Sequence, residues 1–563
     1  MELDANAKLQ RYCYLGGFEP VYVHLRGSVD VHKYWPQLQV LCQALDDVSM
    51  VMILKQALQE TTLVRRDESL FVYAVYLASD IEIKWKTSLR KAFPALIRND
   101  EDLFLFCKYA TLIRREQNHK GFTNTTRKAI TSWYENQSPD EIRQMWLTHR
   151  GAHGFTHKSL IKLCHINDET IGAAGVVTPF FKTCTELLKA SESSETAIEN
   201  HVDVTNRAED EKKASKATAA EVEKTKSNTE MYPTAVLSVS KLRTTKNKAE
   251  ALKIIRKFKL RYNQVPGHLL RFAPIMETLI PTMSYIQLLK SWRNLARYNH
   301  FDNPKIMKLC QTLFENKKLL RKDNIHPIVF LMQMRDLGLR DDIAKVAPKR
   351  IESLKMPLLK QLYEQSFGNN QSTGLRMHIT INIQKNYRKK PLKNHKKLGF
   401  LEAAITLALG YYKKEKEVDV FYWVDDKLTL GQLPWEREIS VEDALGFCDI
   451  FDITKTNQRL ITPILRAMER KQTYDVFLVI VPTAGRGNPK QTSEFLCKFL
   501  DKYREKKKPE SKVSIFVFVI LDLLKFRKSM RYSDTRNENI LEICGLDEHT
   551  TNIINNFALN HFG

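Results

Sequence analysis

The apolar periodicity of this chain changes once, near residue 367, and that change constrains the fold more than any other feature. Before it, apolar residues recur at helical spacing, as in MVMILKQALQE (50–60), SLFVYAVYLAS (69–79), WKTSLRKAFPALI (85–97) and DLFLFCKYATLI (102–113). The same pattern returns in MSYIQLLKSWRNLARY (283–298), PKIMKLCQTLFEN (304–316) and HPIVFLMQMRDLG (326–338). Nothing in this part alternates convincingly as a strand. Chains of short amphipathic helices stack as helix pairs, in a solenoid or ring. After the loop GNNQSTG (368–374) come continuous β-type runs: MHITINI (377–383), VDVFYWV (418–424), YDVFLVIV (474–481) and KVSIFVFVIL (512–521). Helical runs separate them at 398–412, 462–470 and 493–503. Strands without a polar face, alternating with helices, imply a parallel doubly wound sheet covered on both sides. The expected fold is therefore multidomain: an α-helical domain over 1–367, then an α/β domain over 368–563.

One stretch of the helical part breaks the pattern. Residues 191–230 contain no aromatic residue and few aliphatic ones. Such a segment cannot bury enough surface to offset its ordering entropy, so it reads as a disordered insertion.

Charge sets the class of partner. The 563 residues carry a formal charge of +23, with a pI of about 9.4. That excess favours a polyanion, either nucleic acid or an anionic membrane. No apolar run is long enough to span a bilayer, and the first residues lack the pattern of a signal peptide. The nine cysteines are scattered, with no Cys-x-x-Cys pair, as a reducing compartment allows. These features read as a cytosolic or nuclear protein.

The densest functional signal is Arg127 to His165. Lys, Arg and His alternate there with Trp133, Tyr134, Trp146 and Phe155. Cations neutralise phosphates and flat rings stack on unpaired bases, so the mixture points to RNA. Asn124 to Thr126 can cap one helix, Gly151 and Gly154 break the chain, and Thr156 opens a second helix. Lys158, Lys162 and His165 then share one helical face. Arg114, Arg115 and Lys120 extend the basic surface toward Arg127 and Lys128, and Arg150 and His157 complete the candidate set. Trp133 and Tyr134 are better read as core anchors than as base platforms, since adjacent helical residues point about 100° apart. Lys241 to Arg261 holds nine Lys or Arg against one Glu. Its IIRKFKLRY run reads as an amphipathic surface helix, with RNA contact as the added hypothesis. His149, His153, His157 and His165 have spacings that could suggest zinc, but the two glycines interrupt the helix and no Cys or carboxylate completes a ligand set.

No catalytic signature stands out, so no enzymatic activity and no cofactor are expected. There is no Gly-Lys-Ser/Thr phosphate loop, no Gly-x-Ser-x-Gly elbow and no His-Glu-x-x-His pair. GRGNP (485–489) reads as a loop, and Asp425-Asp426 as a turn.

Several motifs in order resemble the Ro autoantigen family, ribonucleoproteins of the TROVE class. They are LQRYCYLGG (9–17), RKAITSWY (127–134) followed by GFTHKSLIKLCH (154–165), NIHPIVFLMQM (324–334) and ICGLDEHTTNIINNFAL (543–559). The resemblance implies a ring of HEAT-like helical repeats closed by a von Willebrand factor A domain. It implies a non-enzymatic protein that binds small noncoding Y RNA on the ring's basic outer face. It also implies uptake of the single-stranded ends of misfolded noncoding RNA through the central hole, as quality control. The family's RNA-contacting helix maps onto Lys158, Lys162 and His165, and its opening basic pair onto Arg127 and Lys128. Arg150 is retained, whereas Thr148 and Ala152 stand where the family has cations. A ring closed within one chain would leave the protein monomeric.

The expected departure is at the metal site of the A domain, which uses Asp-x-Ser-x-Ser, a later Thr and a later Asp around Mg²⁺. Asn382, Gln384 and Asn386 stand in place of the Asp and the two Ser, Pro482 stands in place of the second Asp, and Thr456 is the remaining hydroxyl. Uncharged amides do not offset a dication, so no metal is expected. Lys385, Arg388, Lys389, Lys390, Lys393, Lys396 and Lys397 follow without an acidic neighbour. Three readings stand for this loop: a fixed positive patch for RNA phosphates, the same patch for an acidic partner, or a solvated loop. The second reading of the whole chain is a protein-interaction scaffold with a metal-free A domain and reduced RNA binding.

Overall fold

The computed structural model describes residues 4–24, 29–59, 66–78, 86–138, 151–166, 241–242, 245–323, 325–338, 359–392, 397–424, 429–451, 453–454, 459–483, 489–506, 515–521 and 539–562, with the single positions 141, 145 and 395. The expected insertion at 191–230 lies outside the described residues, as do Trp146, Thr148, His149, Arg150, Lys393, Lys396 and Thr456.

The helices before the sheet are α1 Ala5–Leu15, α2 Val31–Ala44, α3 Asp47–Gln59, α4 Arg66–Ala78, α5 Thr87–Leu96, α6 Asp100–Glu116, α7 Asn124–Glu135, α8 His157–Cys164, α9 Lys248–Lys257, α10 Ala273–Leu279, α11 Tyr285–Arg297, α12 Pro304–Phe314, α13 Lys317–Asp323 and α14 Pro327–Gly338. The α/β part adds α15 Lys385–Arg388, α16 Phe400–Tyr412, α17 Val441–Ile450, α18 Thr462–Glu469, α19 Pro489–Lys506 and α20 Thr550–Ala558. Its strands are β2 Met377–Ile381, β3 Val418–Trp423, β4 Leu430–Gln432, β5 Val476–Val481, β6 Ile515–Ile520 and β7 Ile540–Cys544. The four apolar runs read as strands are therefore β2, β3, β5 and β6.

A seventh strand, β1, comes from Val21–Val23, inside the region read as purely helical. The sheet runs β1-β7-β6-β5-β2-β3-β4, parallel throughout except for β4. Its middle is buried on both faces: every residue of β2 and β5 is inaccessible to solvent. Phe477, Val479 and Phe516 pack there with Ile464 of α18 and Leu496 and Leu500 of α19. Three residues are too few for a periodicity to register, so β1 is a strand only because β7 pairs with it. Asp547 secures that edge. Its Oδ2 lies 2.7 Å from both the Tyr22 hydroxyl and His24 Nδ1, and its Oδ1 accepts the His549 N–H at 2.9 Å. Burial alone would raise this carboxyl, but the His24 and Tyr22 hydrogen bonds outweigh it and hold Asp547 at about 2.

Spatial clustering divides the chain into Met1–Tyr76 with Ser284–Gly563, and Leu77–Met283. This differs from a boundary at 367. The first helices and the last helices before the sheet belong with the α/β elements, as the β1–β7 pairing and the Arg335–Glu402 ion pair between α14 and α16 require.

The unit Leu77–Met283 is helical. Its core joins Phe93 of α5 to Phe106 of α6, with ring centroids 4.8 Å apart, and Trp133 of α7 donates its Nε1–H to the Ile97 carbonyl at 2.9 Å. Asn99 caps α6 through the Asp102 N–H, acidic residues fill its first turn, and Arg114 and Arg115 fill its last, matching the helix dipole at both ends.

Candidate nucleic-acid interface

The local sequence builds a helix pair from RKAITSWY and GFTHKSLIKLCH. The Thr123 hydroxyl accepts the Thr126 N–H at 3.1 Å and starts α7. Gly151 (φ 126°), His153 (φ 56°) and Gly154 (φ 86°) then reverse the chain, closed by paired bonds between Ala152 and Phe155. A capping box follows: Thr156 N–H donates to Ser159 Oγ at 2.8 Å, and Ser159 N–H donates to Thr156 Oγ1 at 3.1 Å. His165 ends α8 in the left-handed conformation, with φ 55°.

The inward face of α7 is Ala129, Ile130, Trp133 and Tyr134, all buried. Both rings are thus core anchors. Its outward side carries Arg127 and Lys128, two residues and one residue before Ala129. Beside it, α5 buries Leu89, Phe93 and Leu96, which leaves Arg90 and Lys91 on the other side. Where α5, α7 and the end of α8 meet, they enclose an open cleft of about 800 Å³. Arg90, Lys91, Arg127, Lys128 and His165 line it, with Glu135 as the one carboxylate among the described residues. Arg127 Nε is buried there without a hydrogen-bond partner among the described residues. A buried cationic donor in this state is costly unless an acceptor arrives. Burial pushes the neighbouring Cys164 thiol up to about 12, although Arg127 pulls it the other way. The cleft therefore presents cations and a neutral thiol, a lining suited to phosphate oxygens.

Among the candidate residues, Arg127, Lys128 and His165 come together in this cleft. Lys158 and Lys162 are exposed on α8 but do not line it. Arg115 and Lys120 are exposed near the end of α6, and Arg114 is half-buried with Nη1 on Gln117 Oε1 at 3.3 Å. His157 is a correction. It is 3% exposed, with Nδ1 2.8 Å from the Tyr134 hydroxyl, Nε2 3.6 Å from Asp100 Oδ2, and its ring against Phe104. It sits at the first position of α8 and faces inward, so it holds the helix pair together and does not face a ligand. Arg90 and Lys91 were missed. Their helical spacing marks an outer face, but only the packing of α5 on α7 brings them beside Arg127. On α9, Ala251 and Ile255 face inward while Lys253, Arg256 and Lys257 are exposed, which is the expected amphipathic surface helix.

The second candidate surface lies at the carboxyl end of β2. Asn382 is buried and its Oδ1 accepts the Gln384 N–H at 2.9 Å. Gln384 in turn donates its Nε2–H to the Thr454 carbonyl. Asn386 is exposed and Pro482 has no side-chain donor atom. The A-domain metal does not fit this set: the amides are engaged in shaping the loop, and none carries charge. Arg388 is also a correction to the proposed patch. Its Nε donates to the Ile383 carbonyl at 2.9 Å, Nη1 to Asp449 Oδ1 at 3.1 Å, and Nη2 to the Phe451 carbonyl. It braces the loop. Lys385, Lys389 and Lys390 remain on the walls of a cleft there.

Residues 376–558 match the family model described as the Ro60 vWA domain. The crystal structure of the Deinococcus radiodurans Ro (RSR) protein matches with a TM-score of 0.73 and 16% identity, covering 99% of each chain. No helix among the described residues is long and apolar enough to cross a membrane.

Proposed function

We propose that this protein is a non-enzymatic RNA-binding core of a ribonucleoprotein, a reading supported by the match of residues 376–558 to the Ro60 vWA domain model and by the fold it shares with the Deinococcus Ro protein. The observation that carries this reading is the α5–α7–α8 cleft, with four cationic side chains, His165 and the unpartnered Arg127 Nε. Phosphates release counterions when such a surface neutralises them, and an anionic oxygen would satisfy the buried donor. In its finer form the reading assigns a small structured noncoding RNA of the Y type to this basic surface. Single-stranded ends of misfolded noncoding RNA would be taken up as a quality-control step. The setting would be cytosolic or nuclear, and the protein monomeric.

Crosslinking of the native protein in cells, with sequencing of bound RNA and mapping of crosslinked peptides, tests it. Small structured RNA attached to 87–165 is the expected result. An absence of RNA above background would overturn the reading. In vitro, replacing Lys91, Arg127 and Lys128 by Glu should weaken RNA binding and lower its salt slope by about 0.7 per lost phosphate contact on a single strand.

A further inference from the structure

The cleft beside β2 has a composition of its own. It measures about 1000 Å³ and is walled by α14, α15, α16 and α17. Six cations line it: Arg335, Lys385, Arg388, Lys389, Lys390 and Lys397. Two carboxylates oppose them, and each is held by an arginine. Arg335 Nε donates to Glu402 Oε2 at 2.9 Å, and Arg388 Nη1 donates to Asp449 Oδ1 at 3.1 Å. Among the described residues, six cations against two carboxylates leave the lining with an excess of positive charge.

The remaining lining decides what kind of anion fits. Among the described residues no aromatic ring lines the cleft, so they offer no platform on which bases could stack. Tyr387 of α15 lies outside the lining, and Lys390 stands over its ring at 5.4 Å. Aliphatic surface takes that place. Half-buried Leu445 forms part of the wall, with the nearly buried Met334 and Leu401 behind it. Ile450, next to Asp449, is 74% exposed. Lysines are compact point charges on flexible stems, so several of them suit carboxylates spaced along an extended chain. A single bidentate anion would instead favour arginine forks. Lysines around an aliphatic wall complement a peptide that carries acidic and aliphatic side chains together.

We propose that this cleft is a metal-independent docking site for an acidic, aliphatic-bearing segment of a partner protein. The lysines take the role that a dication would have at this edge of the sheet, which is to attract an oxyanion. The loss of both metal-site carboxylates, with Asn382 and Pro482 in their places, fits that exchange, since it removes the negative charge that a metal would need and that would repel an acidic ligand.

The test uses the full-length protein and a fluorescein-labelled peptide of Glu-Glu-Leu repeats, followed by fluorescence anisotropy in EDTA. The peptide should bind, a Gln-Gln-Leu control should not, and added salt should weaken binding. The triple variant Lys385→Glu, Lys389→Glu, Lys390→Glu should lose affinity about tenfold or more. Lys389→Gln with Lys390→Gln gives a milder version should the triple variant not fold. Labelled oligo(U) should bind both variants as it binds the wild type. Absence of peptide binding, unchanged binding by the variants, or a requirement for Mg²⁺ would overturn the proposal. So would loss of oligo(U) affinity with the peptide unaffected, which would assign the cleft to RNA phosphates. The peptide readout needs no RNA, so this proposal and the RNA-binding reading fail separately.

Discussion

The Tyr134 hydroxyl lies 2.8 Å from His157 Nδ1, in a buried seam between α7 and α8. Both residues belong to the stretch with the strongest RNA signature, yet neither faces outward. The seam fixes how α8 lies on α7 and so places His165 at the end of the cleft formed with Arg127 and Lys128.

Tyr134→Phe should cost about 1–2 kcal/mol, because it removes the hydroxyl and leaves a buried imidazole nitrogen without its partner. RNA affinity of the folded variant should be unchanged. Denaturant midpoints read the first effect and anisotropy with a labelled RNA hairpin the second. A tenfold loss of affinity in a fully folded variant would return these residues to the contact surface.

Gly151→Ala should destabilise the turn between the two motif helices. The residue has φ 126°, and an added Cβ would meet the Phe155 carbonyl oxygen at 2.2 Å. The strain alone is on the order of 1–3 kcal/mol. Gly154→Ala (φ 86°) meets nothing within 4 Å and should be milder. Thermal melts of the two variants should rank in that order, and equal melting temperatures would contradict it.

Acid should weaken the sheet through His378, which is fully buried in β2. Burial first, and then the charge of Arg466, lower its pKa from 6.5 to about 3. The unfolded chain therefore binds a proton that the folded chain refuses. This contribution is favourable above pH 6.5 and is lost as the pH falls from 6.5 toward 3. His378→Phe should flatten the dependence of melting temperature on pH across that window. An unchanged slope would show that other groups govern it.

Divalent cations should leave stability untouched at the β2 edge. Asn382 and Gln384 direct their amides into the loop, at 2.9 Å to the Gln384 N–H and onto the Thr454 carbonyl. Melting curves with Mg²⁺, Mn²⁺ and EDTA should coincide. A rise with saturable concentration dependence would reveal a site that these donors do not explain.

Much of this was legible from residue order. The switch of period near 367 separated helices from strands, because continuous apolar runs such as VFLVIV can be buried only inside a covered sheet. The loss of the metal-site carboxylates at Asn382 and Pro482 was likewise a matter of residue identity. Tertiary structure decided the rest. β1 exists because β7 offers its edge to Val21–Val23, and nothing in three residues announces that pairing. His157 looked like a surface cation by spacing, but its position at the first turn of α8 turns it onto Tyr134. Arg388 looked like one of several loop cations until the fold placed Ile383, Asp449 and Phe451 around its guanidinium. Arg90 and Lys91 became part of the cleft only when α5 packed on α7. Local sequence determines which face of an element is apolar; only packing determines which neighbour that element meets.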